Sequence, residues 1–142
     1  MKVKIAVVAL ALAALTGCDD LDGLYAVTGP TGDNGVTVSG RWTGQIHATV
    51  NPFPLVPGEM LLTQSGTGVT GTLTINNART ANITANLNGA RLTGGWIYTD
   101  QCGGNATFTA DLQQNATRMT GSYSSSDCLG VASGSFAFER QP

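Results

Sequence analysis

Few side chains in this 142-residue sequence are equipped for chemistry, and their placement narrows what they can do. The single histidine, His47, stands between Gln45 and Thr49 in a stretch where every second residue is polar, which makes it a surface residue rather than a base or a ligand. Asp100 and Asp127 are the acids that lie beside the two internal cysteines, Cys102 and Cys128. Such a pair can hold a cation together with neighbouring hydroxyls and carbonyls, or it can cap turns, as loop aspartates commonly do; the second reading is the simpler. There is no Gly-x-Ser-x-Gly, no phosphate-binding loop and no zinc-type Cys/His spacing. The expectation is a protein that is not an enzyme and takes no cofactor and no metal.

The third cysteine carries a stronger signal. Residues 1–17 hold both lysines of the chain, Lys2 and Lys4, ahead of an unbroken apolar run over 5–15, the make-up of a targeting segment. These 11 apolar residues are too few to cross a hydrocarbon layer of roughly 30 Å. The run ends in Leu15-Thr16-Gly17-Cys18, followed by Asp19-Asp20. Those four residues resemble the lipobox of bacterial lipoproteins. The resemblance implies a signal peptide over 1–17, diacylglycerol on Cys18, palmitate-type acyl chains as the membrane anchor, and a domain held in the periplasm or outside the cell. An ordinary secretory signal with an incidental Cys18 is the alternative. The Gly-, Asp- and Thr-rich residues after Cys18 lack periodicity, so 18–37 reads as a flexible tether and 38–142 as the folded domain. Beyond residue 17 there are five arginines and no lysine against nine acids, a net charge of −4 and a poor match to nucleic acid. In an exported chain Cys102 and Cys128 are expected to form a disulfide; a metal or redox thiol pair lacks a CxxC and a nearby His.

From Val38 onward the hydrophobic period is two. Trp42, Gly44, Ile46 and Ala48 alternate with Arg41, Thr43, Gln45 and His47; similar dry rows run through Val69–Ile75, Ala81–Leu87, Leu92–Tyr98, Ala106–Leu112, Met119–Tyr123 and Gly134–Phe138. A less regular stretch over 59–64 brings the count to eight strands. The repeat apolar-(Ser/Thr)-Gly-x-apolar recurs around Gly40, Gly71, Gly94, Gly121 and Gly134, always with glycine on the dry face, where it marks a bend or a close approach. The pattern predicts an all-β, antiparallel up-and-down meander closed into an eight-stranded barrel, with a β-sandwich as the alternative. Tight two-residue loops at Ser65-Gly66, Asn88-Gly89 and Asn115-Ala116 would share one end. They would set Leu62 against Val69, Ile83 against Gly94 and Phe108 against Tyr123. Longer connections, including both cysteines, would share the other end, facing away from the membrane.

Gly40-Arg41-Trp42 at the barrel's start and Arg140 on the last strand are similar to the lipocalin and wider calycin pattern, in which a Gly-x-Trp packs under a final-strand arginine. The resemblance implies that Trp42 and Arg140 close one end, with the arginine over the indole. At the open end the dry rows finish in small residues beside tyrosines, and Phe53 lies in an apolar connection. Phe53, Tyr98, Ala106 and Tyr123 are therefore the expected ligand-binding residues, under a lid formed by the Phe53 loop. The expected function is non-catalytic binding of a small apolar ligand. The alternative is capture or inhibition of an envelope protein by the mouth loops.

Overall fold

The computed structural model describes residues 35–49 and 55–142. The expected signal peptide, the lipidation site Cys18, most of the tether and Phe53 lie outside the described residues. Alternating apolar and polar side chains fold as eight strands: β1 (Gly40–Ala48), β2 (Val56–Ser65), β3 (Gly68–Ile75), β4 (Arg79–Asn88), β5 (Arg91–Tyr98), β6 (Asn105–Gln113), β7 (Arg118–Asp127) and β8 (Gly130–Arg140). Each pairs antiparallel with its neighbour in sequence, and β8 closes onto β1 from Trp42↔Arg140 to Ala48↔Gly134. The chain is thus a closed meander barrel rather than a sandwich. The dry rows point inward: Trp42, Ile83, Trp96 and Phe108 are all buried. Outside, Thr, Asn, Ser and Gln dominate, the reverse of the apolar outer band of a membrane-spanning barrel.

Glycine on the dry face marks close approach between strands. A Cβ at Gly134 would lie 1.8 Å from the His47 carbonyl oxygen, and one at Gly94 would lie 2.3 Å from that of Thr84. No side chain fits there without parting the strands. Gly40 departs from this pattern: its φ is +130°, a backbone region that side chains rarely adopt, and a Cβ would meet the Arg140 guanidinium at 3.3 Å.

The hairpins correct two expected registers. Asn88 pairs with Arg91 and Ile83 with Trp96, so the loop is Gly89-Ala90 rather than Asn88-Gly89. Ser65 pairs with Gly68 and Leu62 with Gly71, so the first loop is Gly66-Thr67. In both, glycine takes the first central position at φ of about +60°, as a type II′ turn requires. Moving a loop by one residue shifts every partner by two, which leaves dry facing dry; hydrophobic alternation cannot detect it. The third register holds, with Phe108 opposite Tyr123, but its loop has four residues, and Gln114, Asn115 and Ala116 are all at positive φ.

The expected contrast between tight turns at one end and long loops at the other holds only in part. β7 and β8 run on through Ser124–Asp127 and Gly130–Ser133, leaving just Cys128 and Leu129 as a turn. Their polar serines carry no dry row, so period two ends before the strands do. The β3–β4 connection is also short, 76–78.

The end at which the chain enters is plugged. Val38 and Trp42 are fully buried, and the Trp42 indole N–H donates to the Val38 carbonyl at 2.9 Å. Gln64 is 1% exposed and fully engaged: its Oε1 accepts from the Val38 N–H, and its Nε2 donates to the Val36 and Gly66 carbonyls. The Arg140 guanidinium donates to the Thr37 and Ser39 carbonyls. Arg140 thus hydrogen-bonds the backbone that enters this end, on the strand position paired with Trp42. Residues 36 and 37, expected within the flexible tether, are tied to the barrel by these bonds.

Candidate functional site

Above the plug, side chains fill the lower barrel. Aromatic rings run in sequence from Phe138 to Phe136, Phe108 and Trp96, with neighbouring centroids 5.5–6.0 Å apart. Among them lies a void of about 10 Å³, at the limit of what a single water needs. Trp96 is the top of this stack, and Tyr123 packs on it at 5.5 Å. Beyond Trp96 the described side chains leave the barrel unfilled. A cavity of about 360 Å³ is walled by Ile46, Val56 and Ile75 on one side and by Tyr98, Tyr123 and the β7–β8 hairpin on the other. That lies near the lower end of small-ligand pockets, roughly 300–1,000 Å³.

Of the residues expected to bind ligand, Tyr98 and Tyr123 line this cavity. Ala106 does not: it is buried on β6 opposite Trp96 and Ser125, below the mouth. His47 points outward and is exposed.

The main polar feature of the mouth is a residue that the sequence reading passed over. Arg79, the first residue of β4, donates from Nε to Asp100 Oδ2 and from Nη1 to Asp127 Oδ2, both at 2.7 Å. Its guanidinium carbon lies 3.9 Å from the centre of the Tyr98 ring, a cation–π contact. The acid pair is thus held by an arginine. Each aspartate also caps its own turn: Asp100 Oδ1 accepts from the N–H groups of Cys102 and Gly103, and Asp127 Oδ1 from that of Leu129. Asp100, in the β5–β6 connection, and Asp127, the last residue of β7, stand beside the Cys102–Cys128 disulfide, whose cysteine Cα atoms are 5.3 Å apart. Hydrogen bonds from Arg79 hold both carboxyls below the ordinary carboxylate range. The bond to Asp100 is the main cause that raises the guanidinium in turn, against its burial. Burial pushes the Tyr123 phenol up. No three His, Cys, Asp or Glu side chains converge on one point among the described residues.

A signal for Arg79 was present in the sequence. Once strands are assigned, Arg41, Arg91, Arg118 and Arg140 fall at the plugged end and Arg79 alone at the mouth with Asp100 and Asp127. Gln64 likewise continues the inward row of Met60 and Leu62.

No family model matches this chain, and no curated protein matches it.

Proposed function

We propose that this protein is a non-catalytic binding protein of the bacterial cell envelope, anchored to a membrane through lipid on Cys18, which takes a small apolar ligand at the barrel mouth. The observation that carries the reading is the mouth cavity of about 360 Å³ above a filled lower barrel. Its aliphatic walls suit an apolar body, and removing that body from water supplies about 25 cal/mol per Å². The chain enters at the plugged end, so a lipid on Cys18 leaves the mouth free to face solution. The test is fluorescence titration of the full chain with an apolar dye. Binding is expected, and Ala48→Trp, which fills the cavity from β1, should abolish it; no binding by the parent chain, or unchanged binding by the variant, overturns the reading.

A second reading, capture of an envelope protein, draws on the mouth hairpin, where Leu129 and Val131 are 83% and 76% exposed. Under this reading Leu129→Ser with Val131→Ser abolishes protein capture, and the parent chain binds no apolar dye.

A further inference from the structure

Two buried donors on residues that line the mouth cavity have no acceptor among the described residues: the indole Nε1 of Trp96 and the Nη2 of Arg79. Both residues line the cavity, and Trp96 is only 4% exposed. A buried N–H without a partner costs more than a hydrogen bond typically contributes, so a purely hydrocarbon ligand would seal in that cost. A ligand bearing an oxygen acceptor would remove it.

The charge of the site selects which oxygen. Among the described residues Arg79 is the only cation lining the cavity, and it is already engaged by two carboxylates. Those carboxyls are held ionised by the guanidinium. The cluster therefore carries a formal charge of −1, and an anionic head group entering beside it would be repelled at low dielectric. From these observations we infer that the mouth takes neutral, carbonyl-type apolar compounds, whose oxygen accepts from Trp96 Nε1 and Arg79 Nη2 while the hydrocarbon lies against Ile46, Val56 and Ile75. This rests on the binding reading above and names the chemical class of its ligand.

Three probes of equal carbon count separate the possibilities: n-octane, methyl hexyl ketone and octanoate, titrated against the full chain at neutral pH. The ketone should bind about tenfold more tightly than octane, the effect of satisfying a buried donor, and octanoate should bind more weakly than the ketone. The Trp96 indole N–H proton resonance should shift with the ketone and not with octane, while that of Trp42 stays in place. Trp96→Phe should reduce the ketone's advantage over octane, both measured in that variant, to about threefold, the remainder coming from Arg79 Nη2. Equal binding of octane and ketone, or tightest binding of octanoate, overturns the assignment of the head group while apolar binding stands. An unmoved indole resonance in the ketone complex, or an undiminished tenfold advantage in folded Trp96→Phe, overturns the donor assignment. Failure of all three probes to bind overturns the binding reading, and this inference with it. Should Trp96→Phe not fold, the parent chain's indole resonance decides.

Discussion

Arg79 and Asp127, 48 residues apart in sequence, meet at 2.7 Å across the barrel mouth. The contact ties the start of β4 to the tip of the β7–β8 hairpin, elements that are not neighbours in the sheet. Asp100 takes the other side of the same guanidinium, and Cys102–Cys128 covalently joins the connections beside the two acids. The rim between β4, β5 and β7 is therefore tied by one cation, two anions and a disulfide.

Removing the cation should cost more than removing one anion. Arg79→Gln leaves two carboxylates facing each other without a counter-charge, whereas Asp127→Asn leaves Arg79 with Asp100. A lower Tm is expected for Arg79→Gln, by roughly 5 °C, with a smaller loss for Asp127→Asn. Thermal unfolding followed by circular dichroism measures both; equal Tm values for Arg79→Gln and the parent would count against the clamp.

Acid should weaken the fold through this cluster. Asp100 and Asp127 have folded-state pKa values below the ordinary 3.8. Above that value both carboxyls are ionised, folded or unfolded, and their contribution is fully present. As pH falls below it the unfolded chain takes up protons first, and stability drains away until the folded-state values are passed. Denaturant midpoints measured from pH 6 down to about 2 should fall, and Arg79→Gln should flatten that slope.

The disulfide should contribute independently of charge. It closes a loop with a sequence separation of 26, for which chain entropy in the unfolded state gives about 3 to 4 kcal/mol. Cys102→Ser with Cys128→Ser, or reduction of the parent, should lower unfolding free energy by about that amount in guanidinium titrations. A loss well below 1 kcal/mol would mean that the salt-bridge cluster alone holds the two connections.

The closing seam depends on having no side chain at Gly134. A Cβ there would sit 1.8 Å from the His47 carbonyl oxygen, between β8 and β1. Gly134→Ala should cost about 1–3 kcal/mol as an overpacking substitution. Amide exchange should accelerate first along the β1–β8 pairing. Gly103→Ala, where nothing lies within 4 Å but φ is +62°, should leave that seam's protection unchanged.

By itself the sequence determined which face of each strand is dry, because side chains alternate across a strand and water sorts them. Trp42, Ile83, Trp96 and Phe108 could be assigned to the interior on that ground, and the glycines among them marked where strands must approach closely. The pairing of Cys102 with Cys128 was legible for a similar reason, since both fall at one end of a meander. Only the closed barrel decided the rest. Register at Gly66 and Gly89 was fixed by which central turn position needs positive φ, since a two-residue shift preserves alternation. The extension of β7 and β8 through Ser124–Asp127 had no apolar row to announce it. The meeting of Arg79 with Asp100 and Asp127 is a relation between three distant points on a cylinder's rim. Periodicity describes a strand's faces and carries no information about what stands opposite across an opening; closure brings those charges within 3 Å.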